Sequence, residues 1–321
     1  MSTYPTGDAA GLVTGTGKGA GSAVEPEVKK IMRLATVITA ASDAEGGPST
    51  RAAVQSGDRF VLLAARDLSE LLGSAGWQEQ AAAAVAAAEA AGSEPGDSIA
   101  VGSARYATAL PRPSKVICCG LNYADHIAEM GRELPEYPTL FSKFADTLIG
   151  DGEAIDAAGH GARLDWEAEL AVVVGAPLKN ASPAEAAAAI AGYTAANDIS
   201  MRDWQSRTLQ WFQGKAFDRT TPLGPVLVTP DECDPEAGVR VRCLVNGEEV
   251  QNGNTKTLVF TAAALLSYIS TFTRLSPGDV VLTGTPGGVG MGANPPRFLR
   301  DGDVVTTEVE GIGTLTNTVR L

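Results

Sequence analysis

Apolar and polar positions alternate with period two in RLATVI (33–38), RAAVQSG (51–57) and RFVLL (59–63), which predicts three short strands. A helical stretch is predicted from Asp67 through the alanine run that ends at Gly92. ALPRPSK, with Pro111 and Pro113, reads as a boundary at 109–115. Beyond it the pattern predicts a strand in KVICCG, a short helix holding YADHIAEMG, and a loop rich in Pro and Glu. Strands then alternate irregularly with helices: LDWEAELAVVVG, the helix SPAEAAAAIAG, YTAANDIS running into MRDWQSR, then GPVLVT, VRVRCLVNG, VVLTGTPGGVG, DVVTTEVEG and GTLTNTVRL. Many strands with few helices predict a mixed, largely antiparallel α+β architecture rather than a doubly wound sheet. The chain divides into a flexible tail (1–30), a small N-terminal α+β domain (31–108) and a large domain (109–321). Met32, which opens the first strand pattern, is a candidate start of translation.

Length supports this division, because 321 residues exceed the usual size of one domain. A net charge of −13 argues against a nucleic-acid partner. No stretch approaches the ~20 apolar residues a membrane helix needs, so no membrane partner is expected. The tail lacks the apolar core of a signal peptide. Cys118, Cys119, Cys233 and Cys243 form no CxxC pair and read as reduced thiols of a cytoplasmic protein. Two glycine strings look like phosphate loops and fail as such. GTGKGAG lacks the Walker spacing, and Pro295 and Pro296 interrupt any helix after GTPGGVGMGANPP.

The chemistry begins at DWEAEL. In a strand, Glu167 and Glu169 share one face about 7 Å apart, while Trp166, Ala168 and Leu170 take the other. Two buried carboxylates require a proton or a cation between them; an exposed strand end would place both in water. Asp198, in NDISMRDWQ, sits at a strand end or helix start, with Arg202 and Gln205 following along one helical face. Asp198 is alternatively a helix N-cap, and Arg202 an ordinary ion-pair partner. Three converging oxygen donors select Mg²⁺ or Mn²⁺ over zinc. His126 stands three residues before Glu129, a spacing that suits either a general-base pair or a surface contact on a helix. Lys215 reads as a charge donor or a solvated lysine.

GLNYADHIAEMG, DWEAEL, NDISMRDWQ, GKAFDRTTPLGP and LTGTPGGVG occur in this order and resemble the successive signatures of the fumarylacetoacetate hydrolase superfamily, in particular its acylpyruvate and fumarylpyruvate hydrolases. The likeness spans residues 112–321. It implies a mixed β-sheet roll, a homodimer, and Mg²⁺ or Mn²⁺ held by Glu167, Glu169 and Asp198. By motif match, His126 and Glu129 take the place of a water-activating dyad and Lys215 that of a lysine beside the reacting carbonyl. Arg202, Gln205 and Thr285 match substrate-contacting positions, and GRELPEYPTLFSKF resembles a lid. The implied reaction is hydrolysis of a carbon–carbon bond in a 2,4-dioxo acid, with pyruvate leaving as its enolate. Decarboxylation of oxaloacetate, isomerisation of a hydroxymuconate-type acid, and simple binding of a 2-oxo acid are the alternatives.

Overall fold

The computed structural model describes residues 32–40, 49–91, 97–129, 133–157, 159–160 and 162–321. The predicted tail lies outside the described residues, as do the side chains of His126 and Glu129. The architecture is mixed α+β and rich in sheet. The large sheet runs in the order Ser98–Ala100, Arg59–Leu62, Ser49–Ser56, Arg33–Ala40, Thr221–Val228, Ile190–Asn197, Ala168–Val174, Val280–Leu282, Val116–Gly120 and Thr139–Lys143, with Leu148–Ile149 beside Thr221–Val228. The N-terminal strands thus continue the sheet of the large unit, Arg33 and Leu34 facing Val228 and Leu227. A second sheet orders Glu248–Asn254, Arg240–Val245, Val304–Val309, Gly313–Arg320 and Ile155–Asp156.

Ala168–Val174 is covered on both faces, as its apolar run requires. Trp166, Ala168, Leu170, Val172 and Val174 join one buried cluster, and Ala171 and Val173 join another. The helix predicted from SPAEAAAAIAG is shorter, Pro183–Ala188. Ser182 accepts from the Glu185 backbone N–H while the Glu185 carboxylate accepts from that of Ser182, which closes the first turn. Ile190 already belongs to the next strand.

Other elements depart from the pattern. The helical stretch after Asp67 is two helices, Leu68–Gly73 and Trp77–Ala91, broken where Gly76 takes a positive φ of 68°. The segment likened to a lid ends as an edge strand, Thr139–Lys143, paired antiparallel to Val116–Gly120. TLFSK does not alternate and directly follows Pro135 and Pro138, so the loop signal masked it. A further helix, Ala262–Phe272, is capped by Thr261, which accepts from the Ala264 N–H.

Candidate metal and substrate site

Register builds the site. Ala168 faces Asn197 across the central antiparallel ladder. One step further out, the Asp198 N–H donates to the Glu167 carbonyl at 2.8 Å, and the Glu167 N–H donates to Asn197 Oδ1 at 2.9 Å. On the other side of Ala168–Val174, the Thr283 N–H donates to the Leu170 carbonyl at 3.0 Å. Gly284 then turns at φ 101° and aims its N–H at Glu169 Oε2, 2.6 Å away. A Cβ at this glycine would lie 3.0 Å from the Cys119 carbonyl oxygen, so bare backbone is needed there.

Glu167, Glu169 and Asp198 consequently converge, each offering a carboxylate oxygen within 4.8 Å of the others, and all three are buried. Two ammonium groups face them. Lys215 Nζ lies 2.7 Å from Glu167 Oε2 and 2.8 Å from Asp198 Oδ2. Lys143 Nζ lies 2.5 Å from Asp198 Oδ1. Lys215 ends the short helix Phe212–Lys215, which presses on Arg202–Gln205 so closely that a Cβ on Gly214 would meet the Gln205 Cβ at 2.5 Å. Phe141 covers the ammonium of Lys215, 5.0 Å from ring centroid to Nζ.

These contacts set the protonation states. Burial pushes the Glu169 carboxyl well above its ordinary range, and the neighbouring charges of Asp198 and Glu167 push it further. Burial also acts upward on Asp198, but the ammoniums of Lys143 and Lys215 outweigh it and hold the group below its usual value. Burial would lower Lys215, yet Asp198 and Glu167 more than compensate and its ammonium form is favoured. Asp198 and Glu167 thus hold Lys215 as an ammonium in the metal-free protein.

Arg202 has other partners than the sequence reading weighed. It does not follow Asp198 along a helix, because Ser200–Met201 intervenes as a strand. Its Nε donates to Asp165 Oδ2 at 2.8 Å, a terminal nitrogen pairs with Glu167 Oε1 at 2.7 Å, and another donates to Gln205 Oε1 at 2.9 Å. Thr285 donates to the Ala168 carbonyl at 2.9 Å and accepts from Gln251 at 2.8 Å. Glu167, Arg202, Gln205, Lys215 and Thr285 all line one cavity of about 830 Å³. The helix Ala124–Glu129 carries His126 and Glu129, whose side chains lie outside the described residues.

Sequence reasoning missed four contributors: Lys143, Asp165, Asn197 and Gln251. Each is buried. Asp165 left a signal, two positions before Glu167 in DWEAEL and so on the same strand face, and Lys143 a fainter one, two positions after Phe141 in a strand. Three hard carboxylates in a buried cluster, flanked by cations that keep Asp198 ionised, fit a divalent ion of the Mg²⁺ or Mn²⁺ class.

Among the described residues, no helix is long and apolar enough to cross a membrane. Residues 115–320 match the family described as fumarylacetoacetate (FAA) hydrolase C-terminal. The mitochondrial oxaloacetate tautomerase Fahd2a of Rattus norvegicus is 46% identical over 209 residues, 65% of this chain and 67% of its own length. The fumarylacetoacetate hydrolase of psychrophilic Exiguobacterium antarcticum is 31% identical, with a TM-score of 0.73 over 90% of this chain and 99% of its own. For 5-carboxymethyl-2-hydroxymuconate delta-isomerase from Mycobacterium smegmatis the identity is 34% and the TM-score 0.70, over 90% of this chain and 99% of its own. With the family matched over most of its length and the fold shared with these enzymes, the chain belongs to the fumarylacetoacetate hydrolase family.

Proposed function

We propose that the protein is a divalent-metal enzyme that interconverts the keto and enol forms of a 2-oxo acid of the oxaloacetate kind. The observation that carries this reading is the buried cluster of Glu167, Glu169 and Asp198, set against the ammonium of Lys215. Glu167, Glu169 and Asp198 would hold Mg²⁺ or Mn²⁺, which when bound polarises the 2-oxo carbonyl as a Lewis acid. Lys215 adds positive charge where negative charge develops on the carbonyl oxygen. Arg202, locked by Asp165 and Gln205, and the Thr285 hydroxyl orient the acid in the cavity. The His126–Glu129 pair, the base assigned by motif match, would take the proton from C3. The identity to oxaloacetate tautomerases, 45% over 210 residues for the Homo sapiens protein FAHD2A, 65% of this chain and 67% of its own length, favours tautomerisation over decarboxylation.

Hydrolysis of a 2,4-dioxo acid is the second reading, favoured by the fold shared with a fumarylacetoacetate hydrolase. It uses the same residues, with His126 and Glu129 activating water. Proton NMR separates the two. Exchange of the C3 protons of oxaloacetate with solvent deuterium, accelerated by the protein and Mg²⁺ and abolished by chelator, supports tautomerisation. Acetate and pyruvate formed from acetylpyruvate, with no acceleration of that exchange, would replace it with hydrolysis. A homodimer and a reducing, cytoplasmic setting belong to the same proposal; light scattering tests the first.

A further inference from the structure

Among the described residues, three cations line the cavity: Arg202, Lys215 and Arg297. Two are committed to buried partners. Arg202 holds Asp165, Glu167 and Gln205, and Lys215 holds Glu167 and Asp198. Arg297 differs, since its carboxylate partner is Glu248, 2.7 Å away, with side chains 38% and 67% exposed. An exposed pair of this kind is readily exchanged for another carboxylate.

The rest of Arg297 is anchored. Its backbone N–H donates to the Gly290 carbonyl at 2.9 Å. Its guanidinium carbon lies 5.7 Å from the centroid of the Trp166 ring, whose Nε1–H donates to the Gly288 carbonyl at 3.0 Å. Trp166 directly precedes Glu167 in the chain, so this indole links the outer arginine to the inner carboxylate cluster. Glu249 also lines the cavity, but Arg242 Nε at 2.7 Å and Asn252 Nδ2 at 2.9 Å hold it.

We propose that Arg297 recognises a second carboxylate at the far end of the substrate, and that Glu248 occupies Arg297 until that carboxylate arrives. The inference rests on the 2-oxo acid reading of the site and assigns to Arg297 the selection of dicarboxylic over monocarboxylic 2-oxo acids. A planar guanidinium binds a carboxylate through two parallel N–H donors, which gives direction as well as charge. Substrate and Glu248 then compete for one group, so the two residues have opposite effects on affinity.

The test is calorimetric binding of a matched pair, 2-oxoglutarate and 2-oxopentanoate, to the Mg²⁺-loaded full chain; the two differ only in carboxylate against methyl. The wild-type protein is expected to favour 2-oxoglutarate about tenfold or more, the scale of one charge-assisted hydrogen-bonded pair. Arg297→Gln erases the preference by weakening 2-oxoglutarate alone, Arg297→Lys retains part of it, and Glu248→Gln strengthens 2-oxoglutarate. A preference that survives in Arg297→Gln overturns the inference, as does equal weakening of both acids. Because binding is read without turnover, a wild-type protein that discriminates through Arg297 yet fails to exchange the C3 protons of oxaloacetate would refute the tautomerase reading and leave Arg297 in place.

Discussion

Lys143 and Asp198 form an ion pair whose side chains have no exposed surface, with Nζ 2.5 Å from Oδ1. A lysine on the outermost strand of a sheet ordinarily faces water. Here Thr139–Lys143 folds along Val116–Gly120, and its last residue turns beneath the carboxylate cluster. Asp198 thereby has an ammonium on each oxygen, Lys143 on Oδ1 and Lys215 on Oδ2.

Removing one partner of a buried pair leaves the other charge desolvated. Lys143→Met is expected to destabilise the protein by about 3–5 kcal/mol, read from the urea midpoint. The sign with pH follows from Asp198. Its folded-state value is lowered, so its contribution is present above the ordinary carboxylate range and fades as pH falls through the folded value. With one cation lost, acid unfolding of Lys143→Met should begin at a higher pH than in the wild type. An unchanged acid transition would mean that Lys215 alone holds Asp198 ionised.

Glu169 carries the opposite sign. Its folded-state value is raised by burial and by Asp198 and Glu167, so its contribution to the metal-free protein is complete below the ordinary carboxylate range and is lost as pH rises through the folded value. A bound cation requires the ionised form, so metal uptake should release a proton and weaken as pH falls. Titration of Mn²⁺ in buffers of different ionisation enthalpy measures the release; identical heats in all buffers would refute it. Glu169→Gln should lower Mn²⁺ affinity at least tenfold.

Asp165 gathers four donors: the backbone N–H groups of Trp166, Gly290 and Met291 and the Nε of Arg202. One carboxylate thus orients the arginine and clamps the glycine loop that walls the cavity. Asp165→Asn is expected to cost about 10–100-fold in turnover number divided by KM, as loss of a supporting partner does. Were the variant to lose stability while its folded fraction kept wild-type kinetics, Asp165 would be structural only.

All four cysteines are free and buried. Burial pushes Cys118 and Cys119 up strongly and raises Cys233 and Cys243 to about 12. Thiolate is scarce at neutral pH, so Ellman's reagent should find no rapidly reacting thiol in the native protein and four after denaturation. A fast native reaction would place one of them at the surface.

Much of this was legible in the chain. DWEAEL places two carboxylates on one face because strand periodicity is rigid, while burial and an exposed strand end both fit the stretch until the fold covers it. Arg202, Gln205, Lys215 and Thr285 could be named from ordered motifs, and all four line the same cavity. The partners were not legible. Asp165 meets Gly290 and Lys143 meets Asp198 only through tertiary register, which no local spacing encodes. The strand at 139–143 is hidden behind Pro135 and Pro138, and the helix at 262–272 lies in an apolar run that also suits a strand.

The three carboxylates come from one antiparallel pair of consecutive strands, but their partners come from further along the chain. Asp198 becomes the neighbour of Glu167 when the ladder between Ala168–Val174 and Ile190–Asn197 closes. Glu169 gains Gly284 when Val280–Leu282, which runs parallel to Val116–Gly120, docks antiparallel on Ala168–Val174. Pairings between such distant segments carry loop-closure entropy and form slowly. In a refolding experiment, the return of divalent-cation affinity should therefore lag the return of the far-ultraviolet signal. The carboxylate cluster marks the moment at which the last strands find their places, and a metal-sensitive fluorophore could time it.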